Sequence, residues 1–130
     1  MSDGIPVQAS GDINPARFCT ISGAFTVAES NAAEAKLAGI CAEHTRNTPD
    51  DNGSAFHAIS GDHVTLHEPG KSCKLKIGTG GCTAGDFLKP DADGKGVTAS
   101  TGDVAGAQAW ETASADELAE VRVTPPLYVA

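Results

Sequence analysis

Histidine is a residue type in this chain that could bind a metal ion, but the spacing of the histidines does not favour a shared site. His63 and His67 lie four residues apart in a segment that alternates as a strand does, and such a separation spans about 13 Å. A zinc–nitrogen bond is only about 2.0 Å long, so one ion cannot bind both side chains directly. His44 and His57 could approach them only through tertiary pairing. The pattern predicts solvent-facing histidines and no metal site.

Four cysteines are spread along the chain without a Cys-x-x-Cys pair, and this spacing is poor for structural zinc. The main interpretation is a set of small buried thiols. A bridge between Cys73 and Cys82, on neighbouring predicted strands, is the candidate disulfide. Cys19 and Cys41 have no assigned role.

Residues 91–96 read Asp-Ala-Asp-Gly-Lys-Gly and begin like an EF-hand calcium loop. The twelfth position of such a loop is a bidentate Glu, but Gly102 occupies it here, and no helices are predicted around it. The chain also lacks a Gly-x-Ser-x-Gly nucleophile elbow and a phosphate-binding loop followed by a helix. We therefore predict no catalytic residues, no metal and no cofactor, and a function that depends on the protein surface.

Composition limits the classes of partner. The formal net charge is −8, and Lys and Arg form no cluster. Nucleic-acid binding draws its affinity from such cations, and anionic membranes repel an acidic protein for the same reason. The N-terminus does not resemble a signal segment, and no apolar run approaches the roughly 18 residues of a membrane span. We expect a soluble protein, made in the cytoplasm, with no nucleic-acid or membrane partner.

Short apolar runs separated by Gly-Asp and Asp-Gly turns are typical of an all-β domain. About nine runs predict a small single-domain β-barrel or β-sandwich. At most one short helix is expected, over residues 29–37, where Ser30 could cap it. Several Pro and Gly residues predict an extended N-terminal arm over residues 1–16, which leaves residues 17–130 as the β-rich domain.

Three antiparallel units are predicted along the second half. The first pairs residues 63–68 with 72–77 around Pro69 and Gly70, which suit a type II turn. The second surrounds residues 91–94, and the third pairs residues 104–111 with 119–124 and ends at Pro125. Trp110, the single Trp, is expected in the core or at a subunit contact.

The order of these turns resembles that of the head-decoration, or capsid cement, proteins of tailed bacteriophages. Residues 83–97, Thr-Ala-Gly-Asp-Phe-Leu-Lys-Pro-Asp-Ala-Asp-Gly-Lys-Gly-Val, are similar to the "Gly-Asp-x-Leu … Asp-x-x-Gly-Lys" hairpin of those proteins. Residues 106–111, Gly-Ala-Gln-Ala-Trp-Glu, and 117–123, Glu-Leu-Ala-Glu-Val-Arg-Val, resemble the strands that follow it. The likeness covers roughly residues 16–124, but its motifs are turns and strands more than chemistry.

The resemblance implies a non-enzymatic virion protein on the outer surface of an icosahedral capsid. Such proteins stabilise junctions between capsomers, commonly as homotrimers, so the implied partners are the major capsid protein and further copies of this chain. An extended arm can add to a neighbour's sheet edge through main-chain hydrogen bonds. The candidate capsid-binding residues of the arm are Ile5, Pro6, Val7, Ile13 and Pro15.

Two other interpretations remain open. A phage tail or spike module would have a similar β-rich composition, but few copies in each virion. A biotinyl or lipoyl carrier domain is suggested by Lys95, which lies in a tight turn after an Ala-Gly-Asp-x-Leu strand. The flanking Gly94 and Gly96 depart from the carrier pattern.

Overall fold

The computed structural model describes residues 7–30, 37–43 and 57–129, and these residues form β-strands joined by turns, without a helix. The prediction of an all-β fold is confirmed. Most of the predicted helix, residues 31–36, lies outside the described residues. The strands are β1 (Val7–Ala9), β2 (Phe18–Gly23), β3 (Thr26–Glu29), β4 (Leu37–Cys41), β5 (His63–Val64), β6 (Leu66–His67), β7 (Ser72–Lys76), β8 (Phe87–Pro90), β9 (Gly96–Thr98), β10 (Val104–Ala109) and β11 (Leu118–Tyr128).

Six strands form a sheet that curls into a nearly closed barrel. Their order is β5-β1-β3-β2-β4-β6, and its two edge strands, β5 and β6, are separated in sequence by Thr65 alone. Because the two edges of the sheet lie next to each other in the chain, the sheet must bend round on itself. Its interior is a cluster of small and medium apolar side chains: Val7, Ala9, Ile13, Cys19, Val27, Cys41, Ala58 and Val64.

The second sheet has five strands in the order β7-β11-β10-β8-β9. Its core includes Leu75, Leu88 and Val121, and it also takes in Phe18, Leu37 and Ile40 from the barrel strands. Neighbouring residues of β2 thus pack in different cores, since Phe18 packs in the core of the second sheet and Cys19 packs in the barrel interior. This is the two-residue alternation of a strand buried on both faces. The two sheets therefore share one wall and form a single packed unit.

Two of the predicted hairpins are confirmed. Strands β8 and β9 pair antiparallel, with Lys89 opposite Val97. Strands β10 and β11 pair with Gln108 opposite Arg122. The predicted end of the last strand at Pro125 is wrong, because β11 continues to Tyr128. The pairing shifts register where Ala105 and Ala107 of β10 lie opposite Leu127 and Val123 of β11, so the extra residues, the two prolines among them, are on β11 and do not have to supply ladder hydrogen bonds.

The hairpin predicted between residues 63–68 and 72–77 is wrong. The turn itself forms, with the Lys71 N–H donating to the Glu68 carbonyl at 3.0 Å and Gly70 at φ +95°. However, β6 pairs with β4 and β7 pairs with β11, so the turn links the two sheets. The cause is burial, since Val64 packs inside the barrel and Leu75 in the other core.

Much of the segment predicted as an arm is integrated into the barrel. Strand β1 pairs parallel with β3 and antiparallel with β5. Val7 is buried, and Ile13 is fully buried and bridges Ala58. Ile5 and Pro6 lie outside the described residues. Within the described ranges, no helix is long and apolar enough to cross a membrane.

Candidate interaction surface

The histidines do not assemble a metal site in the part of the chain that the structure describes. His63 is exposed on β5, and His67 is half-buried on β6. His57 is buried, and its Nε2 accepts a hydrogen bond from the Thr65 N–H at 3.2 Å. His44 lies outside the described residues. Among those residues, no group of three or more His, Cys, Asp or Glu side chains could hold a metal ion.

The acidic turn after β8 is built from its own backbone hydrogen bonds. The Asp91 Oδ1 accepts from the N–H groups of Asp93 at 2.8 Å and Lys95 at 3.0 Å. The carboxylate that would begin a calcium loop therefore fixes the turn. Lys95 Nζ lies 2.8 Å from Asp116 Oδ1, and this hydrogen-bonded ion pair holds the pKa of Asp116 below its ordinary value. The lysine considered for a carrier role is thus held against a neighbouring turn.

The four cysteines are all free and buried, so the candidate bridge between Cys73 and Cys82 is not formed in the structure. Burial raises the pKa of the Cys73 thiol to about 12 and also raises that of Cys82. Thiols of this kind are weak nucleophiles. Cys82 donates a hydrogen bond to the Glu111 carbonyl at 3.6 Å.

An apolar groove of about 340 Å³ opens at one end of the barrel. We call it the barrel mouth. It forms where β2 ends and β1, β3 and β4 begin. Its wall is mostly apolar, with the carboxylate residue Glu68 at its edge. The other residues that line the barrel mouth are Val7, Ile21, Gly23, Phe25, Thr26, Val27, Leu37, Ala38 and Leu66.

Phe25 is the most exposed large apolar side chain of this groove. It sits in the turn between β2 and β3, is 68% exposed and has φ +54°. A second depression, of about 380 Å³, lies on the barrel surface beside the same ring and is lined in part by Ala24 and His63. A left-handed backbone at a residue other than Gly is uncommon, and an exposed phenyl ring gains nothing from burial. These two features at one position make Phe25 the candidate contact residue of the groove.

Sequence reasoning missed this residue for a clear reason. Turns commonly use Ser and Gly, which favours a turn at Ser22 and Gly23, whereas the structure places it at Ala24 and Phe25. The available signal was a bulky apolar side chain in a segment where turns ordinarily use Gly, Asn, Asp or Ser. Ile21, 52% exposed, extends the same apolar surface along β2.

A second apolar surface lies on the solvent face of the five-stranded sheet. Trp110 is 61% exposed and Leu118 is 42% exposed, so Trp110 does not lie in the core, and the alternative of a subunit contact stays a prediction. Lys74 pairs with two carboxylates, with its Nζ 3.3 Å from Glu111 and 3.7 Å from Glu120. A hydrogen bond from the Glu120 N–H, together with Lys74, holds the pKa of Glu111 below its ordinary value. This surface therefore combines exposed apolar side chains with ion pairs of Lys74.

Comparison with known proteins finds a solved structure that has a similar fold. No family model matches the chain, and no curated protein matches it. Among solved structures, the head fiber gp8.5 N base of bacteriophage phi29 matches with a TM-score of 0.60 and 16% sequence identity. The alignment covers 97% of this chain and 97% of that chain. The two chains therefore share a fold over nearly their whole lengths, although their sequences have little in common.

Proposed function

We propose that this protein is a non-enzymatic structural component of a tailed-phage head, bound to the outer surface of the capsid. The observation that carries the proposal is the full-length likeness to a phage head fiber base, which covers 97% of both chains. The order of turns along the second half of the sequence supports the same class of protein. Among the described residues, Asp91 fixes a turn, Lys95 forms an ion pair with Asp116, and the four cysteines are buried.

Charge supports a location outside the capsid shell. The formal net charge of −8 opposes contact with packaged DNA, whose phosphates bind proteins through Lys and Arg. The barrel mouth offers an apolar contact surface with a carboxylate, Glu68, at its edge. We propose that Phe25 and Ile21 anchor this surface on the major capsid protein, since buried aromatic anchors commonly dominate binding energy.

The N-terminal segment and further copies of the chain belong to the same proposal. Val7 lines the barrel mouth, and Ile5 and Pro6 directly precede it in sequence. A contact between these residues and the capsid would extend the surface formed by the mouth. Assembly as a homotrimer at capsomer junctions would bring several mouths to one site and raise the avidity of weak individual contacts. Stabilisation of the capsid follows from binding across such a junction.

Copy number in purified virions tests this proposal against its alternatives. Gel densitometry, with the major capsid protein as the internal standard, should give many copies in each particle, and they should stay with heads separated from tails. A few copies that stay with the tails would identify a tail or spike module instead. Intact mass of the native protein tests the carrier interpretation, because a covalently bound cofactor on Lys95 would add its own mass.

A further inference from the structure

The barrel mouth lies where the pairing of β1 with the segment that closes the barrel stops short. Strand β1 begins at Val7, which is opposite Val64. The closing segment continues from Val64 to Leu66, which is opposite Cys41 of β4 and lines the mouth. Among the described residues, no strand therefore lies beside Leu66 on its β1 side, and the groove opens at this gap.

The backbone of Leu66 directs its hydrogen-bonding groups towards the gap. The Thr65 carbonyl accepts from the Ala42 N–H at 2.9 Å, so the backbone groups of Thr65 face the β4 side. Successive residues of a strand direct these groups to opposite edges, and the N–H and C=O of Leu66 therefore point away from β4. Buried backbone groups are paired in nearly all native structures. The gap accordingly has the chemistry of an open strand position.

The register of β1 identifies the residues that fit this position. Val7 is opposite Val64 in an antiparallel pairing, so two residues back along β1 correspond to two residues forward along its partner. The register thus predicts Ile5 opposite Leu66. Hydrogen-bonded positions recur at every second residue, and the Ala9 N–H donates to the partner segment at 2.8 Å. The backbone groups of Ile5 would therefore face those of Leu66.

The same alternation directs the Ile5 side chain into the mouth. Val7 and Ala9 are buried in the barrel, and Gln8 between them is exposed. Continuation of the strand therefore predicts Ile5 on the interior face and Pro6 on the outer face. The mouth has a volume of about 340 Å³, and an apolar cavity of about 150 Å³ already binds benzene. An isoleucine side chain fits this space.

We propose that residues 4–6 extend β1 and occupy the barrel mouth, with the Ile5 side chain inside the groove. The segment reads Gly-Ile-Pro and carries no charge, which suits an apolar wall with Glu68 at its edge. The extension ends before Asp3, because that residue would lie opposite Glu68 and like charges directly opposite each other are destabilising.

The occupant changes the shape of the surface more than the stability of the fold. Burial of an aliphatic side chain favours docking, while the loss of conformational freedom in three residues opposes it by a free energy of similar size. Every described strand forms without this segment. A chain that lacks residues 1–6 should therefore fold with an open groove.

The consequence for capsid attachment rests on the proposed function. Phe25 and Ile21 are exposed beside the groove, and Pro6 would join them on the outer face. The capsid would then meet a filled apolar surface in place of an open groove. Occupancy of the mouth is a property of the purified chain, so its test does not depend on capsid binding.

The test is amide hydrogen exchange at the Leu66 N–H, followed by NMR on the purified full chain. We expect protection of this N–H in the full chain and at least tenfold faster exchange in a variant that lacks residues 1–6, because the Ile5 carbonyl that accepts it is removed. The Ala42 N–H is the internal control, since it is bonded across the other edge of the same segment. It should keep its protection in both proteins.

Full-length variants separate the side chain from the length of the chain. Ile5→Ser should raise the exchange rate of the Leu66 N–H and increase the fluorescence of Nile red, a neutral dye that binds apolar surfaces, severalfold. Ser2→Ala is the matched control, because residue 2 lies outside the proposed extension, and it should behave as the wild type does.

Equal exchange of the Leu66 N–H in the full chain and in the shortened chain would overturn the proposal. Protection that appears only at high protein concentration would assign the groove to the N-terminal segment of a second copy, and protection that appears only with added heads would assign it to a capsid strand. Either result would also overturn it. Loss of capsid binding with intact protection of Leu66 would refute the proposed function alone.

Discussion

At the scale of single residues, exposure and backbone conformation distinguish Phe25 from the other apolar side chains. Ile21, Trp110 and Leu118 are also exposed, but none of them has a positive φ. A left-handed conformation at a residue other than Gly costs of order 1–3 kcal/mol. The Phe25 carbonyl accepts a hydrogen bond from the Gln8 N–H at 3.0 Å, but the side chain contributes little to the core, since the residue is 68% exposed. A contact with another molecule would give this position its function.

Replacing this side chain should separate folding from attachment. Phe25→Gly should leave the free energy of unfolding within about 1 kcal/mol of wild type, because Gly adopts a positive φ readily but also gives the unfolded chain more freedom. Its binding to heads that lack the protein should fall at least tenfold in cosedimentation. Asp116→Gly is the matched control, since Asp116 is also an exposed turn residue, with φ +67°. Equal binding by Phe25→Gly and Asp116→Gly would remove Phe25 from the contact.

Trp110 leads to a second prediction at this scale. Because it is 61% exposed, Trp110→Ala should change the free energy of unfolding of the monomer by no more than about 0.5 kcal/mol. Urea unfolding at low protein concentration measures this. A loss of about 3–5 kcal/mol would instead be typical of a buried aromatic side chain. A loss that grows with protein concentration would assign Trp110 to a subunit contact.

At the scale of strands and turns, Gly106 on β10 lies directly against side chains of the barrel strands. A Cβ atom at this position would lie 2.8 Å from Leu37 Cδ1 and 3.0 Å from Phe18 Cε1. Both neighbours are buried side chains of the barrel strands. The absence of a side chain at Gly106 therefore lets the barrel and the second sheet share one core.

Gly106→Ala should destabilise the protein by about 1–3 kcal/mol, because an added methyl group forces well-packed side chains out of place. The measurement is the midpoint of urea unfolding. Gly11→Ala is the matched control, since a Cβ there would have nothing within 4 Å. If both variants unfold at the wild-type midpoint, the two sheets are not packed against each other as tightly as described.

Elements that depend on neighbours in sequence could be predicted, and elements that depend on distant partners could not. The β8–β9 hairpin follows from the Asp91 turn, and β10–β11 follows from alternation around residues 110–117. The turn at Gly70 was also predictable, but the choice of partner for β7 was not. Val64 and Leu75 look equivalent in the sequence, and only the closure of the barrel assigns them to different cores.

The residues of the candidate surface also divide into those that the sequence could predict and those that depend on distant partners. Residues 1–16 carry few apolar anchors and several Pro and Gly residues, so the sequence indicates an arm. Val7 and Ile13 nevertheless fill the barrel, because β5 and Ala58, which are distant in sequence, complete their pairing. The capsid-contacting role of Ile5, Pro6 and Pro15 stays a prediction. Phe25 could have been flagged as an odd turn residue, but its two flanking depressions appear only in the fold.

At the scale of the whole molecule, the N-terminal strand contributes both to the folded barrel and to the barrel mouth. Strand β1 lies between β5 and β3, and its first residue lines the groove. Removal of this strand would open the barrel and expose its interior cluster. A deletion that ends before β1 should therefore affect capsid binding without unfolding the protein, whereas a deletion that includes β1 should also unfold it.

Two truncations make this prediction measurable. Removal of residues 1–6 should leave the thermal unfolding midpoint within a few degrees of wild type, because every described strand remains, and it should weaken binding to heads. Removal of residues 1–15 deletes β1 and the fully buried Ile13, so circular dichroism should report a largely unfolded chain. A folded protein after the longer deletion would contradict the described barrel. Wild-type binding after the shorter deletion would exclude Ile5 and Pro6 from the contact.

The most direct measurement is cosedimentation of the purified protein with DNA-filled heads assembled without it. We predict saturable binding, with many copies on each head and none on naked DNA, and protection of the bound barrel mouth from labelling. Binding that is absent, that saturates at a few copies on tails, or that requires free DNA would contradict the proposed place on the outer capsid surface.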